Sequence, residues 1–262
     1  MRAALAQLRP TGDLAQDCET ACSAIESLTD TDLALFPELF LGGYSTADPG
    51  AVAVRAEGPE IEAIGQACGK VGTAAIIGFT EDLGDGSCAN SAACLDADGS
   101  RAAIYRKTNL FGPGENGAFE PGDSMTVVEL AGRQVGPQIC FDVEFPEPAR
   151  LMARAGAGYL ATISANMEPY AGDHRLAARA RALDNRLPHL YVNRVGSQAG
   201  HEFTGESCAI GPDGSVLAEL GREEGILECE VLAATTDPET SYLELLRPLE
   251  VIVQPKANGG KA

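Results

Sequence analysis

The strongest constraint on the fold is the order in which apolar runs recur. Over the first eighty residues, strand-like runs alternate with segments of helical spacing. Ala3–Leu8 is short and apolar, and Leu14–Leu28 repeats apolar residues at Leu14, Cys18, Ala21, Ile25 and Leu28, a helical stripe. Leu33–Phe36 is a strand ended by Pro37, Glu60–Val71 a second helix, and Thr73–Phe79 ("TAAIIGF") a buried strand.

The rhythm then changes to strands joined by tight turns. "SAACL" and "RAAIYRK" flank Asp98-Gly99, a strong hairpin signal, and "MTVVEL" and "RQVGPQIC" flank Ala131-Gly132. After Cys140 the alternation returns. Pro146 and Pro148 suit a helix start, "YLATIS" and "HLYVNRV" read as strands around the helix "HRLAARARALDNR", and "ESCAI", "GPDGS" and "VLAEL" make a late hairpin. No linker composition and no fixed-period repeat interrupts residues 1–262. One α/β domain with a mixed sheet system is expected, its residues from about 238 to 262 an arm or tail.

Bulk properties exclude several functions. Nineteen Lys and Arg against 38 Asp and Glu leave a formal charge of −19, which disfavours nucleic acid and anionic membrane. No apolar run is long enough to span a bilayer, and the start, "MRAALAQLRPTGD", reads as a first strand rather than a secretory signal. A cytoplasmic location is expected. The eight cysteines (18, 22, 68, 88, 94, 140, 208 and 229) are scattered, which suits reduced thiols better than a disulfide framework. Cys18 and Cys22 lack supporting ligands in sequence, so no metal and no cofactor is expected.

Chemistry in α/β proteins tends to collect at strand ends. Glu38 in "LALFPELFLGGY", Lys107 in "AIYRKTNLFGPGE" and Cys140 in "VGPQIC" each follow an apolar strand. An acid, a base and a thiol are what a cysteine hydrolase without a catalytic histidine needs. Taken singly, Glu38 could cap a helix, Lys107 could be surface charge and Cys140 a small buried hydrophobe. The carboxylates of Asp142, Glu144 and Glu147 close behind Cys140 oppose thiolate formation, so activation must come from elsewhere in the chain. No cysteine has papain-like surroundings for His174, His189 or His201, and neither G-x-S-x-G nor a phosphate-binding glycine motif is present.

Three blocks together, "FPELFLGGY", "YRKTNLF" and "ICFDVEFPEPAR", resemble the nitrilase superfamily of carbon–nitrogen hydrolases, from the first strand to about Val231. The resemblance implies a four-layer αββα sandwich, usually continued across a homodimer or higher oligomer. It implies Glu38 as the general base that deprotonates Cys140 and later protonates ammonia, and Lys107 at the oxyanion with the backbone N–H of Phe141. Glu115, in "GPGENGAFEPGD", falls where a second glutamate orients substrate or Lys107. Nitrilases of the family carry Trp-Glu after the cysteine; Phe141-Asp142 and the absence of any Trp resemble the amidase and carbamoylase branches.

Branches that take carboxylate-bearing substrates place Arg near position 144, where it can clamp a carboxylate. Glu144 does the reverse, and with "SANMEPY" it resembles the branch containing 5-aminopentanamidase. A small aliphatic amide, with a terminal amine in one version, is the expected substrate, and Asn166, Met167 and Tyr170 are expected to line its pocket. Glu144 also has a structural reading, pairing with Arg150 or Arg175, while Arg181 is expected to pair with Asp184 one helical turn on. The alternatives are N-carbamoyl hydrolysis or nitrile hydrolysis, a non-hydrolytic binding protein of the same fold, and a thiol redox or metal protein.

Overall fold

In the computed structural model, residues 1–231, 233–234, 242–245 and 247 are described, so the expected tail lies largely outside them. The first sheet takes β1 (Arg2–Gln7), β2 (Leu33–Leu35), β3 (Ala74–Asp82), β4 (Cys88–Leu95) and β5 (Arg101–Arg106) in that order. The β1–β2 and β2–β3 pairs are parallel, and the next two are antiparallel. The connections explain the difference. Helix α1 (Leu14–Ser27) joins β1 to β2 and α2 (Pro59–Val71) lies between β2 and β3, whereas β3, β4 and β5 follow one another through turns, and only a crossover can join parallel neighbours.

Both helices carry local stop and start signals. The Asp13 carboxylate accepts the Gln16 N–H at 3.0 Å to cap α1. Helix α2 opens on Pro59, has Glu60 and Glu62 in its first turn, and closes at Gly72 with φ +75°, a left-handed position that glycine occupies without strain.

A short helix α3 (Gly112–Ala118) leads into the second sheet, whose spatial order is β13-β12-β9-β8-β7-β6. Its strands are β6 (Val128–Leu130), β7 (Arg133–Ile139), β8 (Tyr159–Ser164) and β9 (His189–Asn193), then, past the hairpin β10 (Val195–Gln198) and β11 (His201–Thr204), β12 (Cys208–Ile210) and β13 (Val216–Glu219). Helix α4 (Pro146–Arg154) crosses from β7 to β8 and α5 (Ala171–Asn185) from β8 to β9. The last strand, β14 (Gly225–Glu230), returns to the first sheet and pairs antiparallel with β1. The sequence reading assigned no strand there, since "GILECE" is an exposed edge with charged residues on alternate positions.

Alternation along each strand separates the layers. Ala3, Leu5, Leu33, Leu35, Ala74 and Ile76 face the second sheet's Val135, Ile139, Ala161, Ile163 and Val192. The intervening Ala4, Ala6, Ala34, Phe36, Ala75 and Ile77 pack outward on Ala21, Ile25, Ile61 and Ile64 of α1 and α2. Helices α4 and α5 cover the other outer face through Met152, Ala153, Ala178 and Ala182. The result is the expected αββα sandwich. Among the described residues no helix is long and apolar enough to cross a membrane.

Candidate active site

Glu38 sits where the chain leaves the first sheet, and Gly78 of β3 fixes its height. A Cβ at Gly78 would lie 2.5 Å from both the Leu39 nitrogen and the Pro37 oxygen, so only glycine lets the turn lie flat on the strand. Leu39 takes φ +47° to complete it. The Glu38 carboxylate is fully buried and fully used. Oε1 accepts from Asn90 Nδ2 at 2.7 Å and from Lys107 Nζ at 2.6 Å, and Oε2 accepts the Ala165 N–H at 2.8 Å.

Lys107 follows β5, with its N–H donating to the Asn90 carbonyl at 2.9 Å and its carbonyl accepting the Gly122 N–H at 2.8 Å. Its ammonium lies between two carboxylates, with Glu115 Oε2 2.8 Å away. Glu115, on α3, is itself held by the Phe111 N–H at 2.8 Å and by the Tyr44 hydroxyl at 3.0 Å. Burial pulls the Lys107 ammonium down, but Glu115 and Glu38 together outweigh it and hold it well above the usual lysine value. Burial raises the Glu115 carboxyl against the pull of Lys107. Such a group is tolerable in a protein interior because each charge is paired and hydrogen-bonded.

Cys140 directly follows β7 at φ +46°, a left-handed turn rare for a residue with a side chain and a mark of functional strain. A 3₁₀ turn over Cys140–Glu144 follows before α4 begins, an element the sequence reading did not contain. The thiol is nearly buried. Burial, then the Glu38 charge, push it well above the usual cysteine value, against Lys107. A resting thiolate is therefore disfavoured, and the proton must leave as sulfur attacks.

The three acidic residues behind Cys140 are dealt with separately. Asp142 turns inward: Oδ2 accepts the Ile139 N–H at 3.0 Å and the Tyr105 hydroxyl at 2.7 Å, while Oδ1 accepts from Thr108 and from the backbone and side chain of Asn109. It staples the strained turn to the residues just after Lys107. Glu147 is exposed on α4. Glu144 pairs with neither Arg150 nor Arg175: its Oε1 lies 3.3 Å from His174 Nε2. Arg150 instead donates to the Asp184 carbonyl and Arg175 pairs with Glu219. Arg181 does pair with Asp184 at 3.1 Å.

A narrow cleft opens on Cys140, lined also by Phe111, Glu144, Ala165, Asn166, Met167, Tyr170 and His174. Four of the five residues expected to bind substrate have a place here. Glu144, Met167 and Tyr170 border the cleft, and Asn166 borders it with its N–H tied to Asn193 at 2.8 Å. The Phe141 ring instead packs edge-on between Phe111 and Phe145, with centroids 5.4 and 5.0 Å away.

Residues 2–240 match the family model described as carbon-nitrogen hydrolase. The chain belongs to the carbon–nitrogen hydrolase family. An (R)-stereoselective amidase of Pseudomonas sp is 39% identical over 216 residues, 81% of this chain and 78% of that protein. An amidase from Nesterenkonia, described as of the nitrilase superfamily, superposes with a TM-score of 0.84 at 31% identity, covering 94% of each chain. A glutamate-to-glutamine variant of that amidase has been solved with acrylamide added at its active-site cysteine.

This carbon–nitrogen hydrolase is thus an enzyme of the amidase type, and the sequence reading had missed part of its cleft. Asn90 and Tyr44, which hold Glu38 and Glu115, were not singled out, although a buried Asn within the apolar run "CANSAACL" was a signal. Ser164 and Tyr191 looked like ordinary strand residues. His174 had been considered only as a papain-like partner.

Proposed function

We propose that this hydrolase converts a small aliphatic amide to carboxylate and ammonia through a thioester on Cys140. The observation that supports this most is the buried Glu38–Lys107–Glu115 group beside a thiol held at a left-handed strand end. Cys140 Sγ attacks the amide carbonyl while Glu38 takes its proton. Lys107 and the Phe141 N–H, in the turn that begins at Cys140, face the oxyanion. Glu38 returns the proton to the departing ammonia. It then deprotonates the water that opens the thioester, and Glu115 keeps Lys107 in place throughout.

Glu144 at the cleft wall supports an omega-amino amide such as 5-aminopentanamide, since one carboxylate oxygen meets His174 and the other is left for an ammonium. The residues act as one hydrolase domain over 1–262, in a reducing, cytoplasmic setting that suits eight unpaired thiols. Exposed Leu151 and Leu176 on the outer helices, 57% and 70% accessible, suit a homodimer that covers them.

The test is ammonia release from 5-aminopentanamide, pentanamide, a dicarboxylic monoamide, an N-carbamoyl amine and an aliphatic nitrile, with carbon dioxide followed in parallel. Amide turnover that vanishes in Cys140→Ala is expected. Carbon dioxide from the carbamoyl compound alone would move the chain to carbamoyl hydrolysis. Glu144→Gln is expected to erase the preference for the amine-bearing amide over pentanamide, about tenfold if one ion pair sets it. An unchanged preference would remove the amine from the proposal.

A further inference from the structure

Beside Cys140 on the second sheet, a line of hydroxyls leads to an imidazole. Strands β7 and β8 run parallel with Ile139 opposite Ile163, so Cys140 and Ser164 leave them side by side, with the Ser164 hydroxyl next to the thiol. The Tyr191 hydroxyl on β9 lies 3.1 Å from Ser164 Oγ. His174 Nδ1 lies 3.0 Å from that phenol oxygen, and its Nε2 reaches Glu144. Ser164, Tyr191 and His174 are all buried.

Proton counting gives the line two satisfied states. Each hydroxyl has one hydrogen that rotates to suit its partners, and Ser164 Oγ also accepts the Asn166 N–H at 3.1 Å. With the thiol protonated, S–H points at Ser164, Ser164 at Tyr191, Tyr191 at Nδ1, and Nε2–H at Glu144. With both hydroxyls turned round, Nδ1–H points at Tyr191, Tyr191 at Ser164 and Ser164 at a thiolate, while Nε2–H still meets Glu144. The two states differ by one proton, moved from Cys140 Sγ to His174 Nδ1.

We propose that His174, acting through Tyr191 and Ser164, is a second acceptor for the Cys140 proton alongside Glu38. The step balances without any further reactant. The S–H bond breaks as Ser164 gains that proton and passes its own to Tyr191, which passes its own to Nδ1. The imidazolium so formed is held by the Glu144 carboxylate, and the proton returns along the same line when the thioester is opened. His174 is therefore a positioning residue for the nucleophile. The groups facing it are Glu144 from the turn, Tyr191 from β9 and the Ser164 hydroxyl of β8, whose Oγ lies 3.5 Å from Nδ1, with Cys140 bordering the same cleft. Cys208 of β12 lies beyond Tyr191, and Arg181 of its own helix donates to the Val143 and Glu144 carbonyls.

The inference rests on Cys140 being the nucleophile, and the experiment keeps the two apart. Alkylation of Cys140 by chloroacetamide and hydrolysis of a neutral amide are followed against pH in the wild type, Tyr191→Phe, His174→Gln, the double variant and Cys140→Ala. Tyr191→Phe removes one oxygen from the middle of the line and leaves every contact of Glu38 in place. Each single variant is expected to slow alkylation and kcat about tenfold near neutral pH, moving KM by less than about threefold. The double variant is expected to be no slower than the slower single, because the line works as a unit, and the pH dependence of alkylation is expected to change in all three. A wild-type rate and profile in Tyr191→Phe overturns the proposal, as do losses that multiply in the double variant. If His174→Gln does not fold, Tyr191→Phe decides alone. Turnover surviving in Cys140→Ala would instead overturn the nucleophile, a separate result.

Discussion

The two flanks of Cys140 are built by opposite rules. Toward the first sheet stand full charges, with Glu38 and Glu115 clamped on Lys107 at 2.6 and 2.8 Å and each held by further donors. Toward the second sheet stand neutral groups, Ser164 and Tyr191, with charge entering only at the far pair of His174 and Glu144. Buried charges survive only in one geometry, so the first flank is rigid and its polarity permanent. Hydroxyls can point either way at little cost, so the second flank transmits whatever proton position its ends dictate. A strained thiol between them has a fixed field on one side and an adjustable one on the other.

The largest effect is expected from breaking the charged flank. Glu38→Gln keeps the shape but removes the base, and kcat/KM for amide hydrolysis should fall about 10³-fold with the fold retained. Ammonia release and a thermal melt check both parts. A loss under about tenfold would mean that the hydroxyl flank carries most of the proton transfer.

Gly78→Ala probes rigidity without touching a charge. Its Cβ would collide with the Pro37–Leu39 backbone at 2.5 Å, so the Glu38 turn must lift. Activity is expected to drop about 10²-fold, the scale of a misplacement near 1 Å, with about 1–3 kcal/mol of stability lost to overpacking. Denaturant midpoints and turnover below the transition measure the two. Full activity would show that the charged flank tolerates displacement.

The mildest effect sharpens the histidine side. His189 lies on the same strand as Tyr191 but hydrogen-bonds Thr162 and the Ala178 carbonyl. Burial pushes it down to about 4. Between that value and the ordinary 6.5 the unfolded chain binds the proton first. Stability is therefore full above about pH 6.5 and declines as pH falls toward 4, by about 3 kcal/mol. Denaturation at pH 7 and 4.5 should show that slope, and His189→Asn should flatten it. An unchanged slope would assign it to other groups.

Much of this was legible in residues 1–262 because strand ends announce themselves. A charge or thiol directly after an apolar run is conspicuous, and Glu38, Lys107 and Cys140 all stand in such places, while Glu115 was reached only through the family resemblance. A single α/β domain with a mixed sheet system followed from the element order, and the αββα layering from the resemblance to the nitrilase superfamily. The partners of acidic residues were not legible. Asp142 next to Cys140 read as a threat to the thiolate, yet it is turned to Tyr105, Thr108 and Asn109, more than thirty residues away in sequence.

By itself, then, the sequence determined the order of strands and helices through its periodicity, and the hydrolase family and the residues that bring charge to the thiol through three local blocks that resemble that family. Only the tertiary structure decided that Glu144 meets His174 rather than an arginine, and that Ser164, Tyr191 and His174 line up behind Cys140. Those contacts depend on how β7, β8, β9 and α5 lie side by side, and a side chain's neighbours across strands are set by sheet register and helix packing, which no single segment carries.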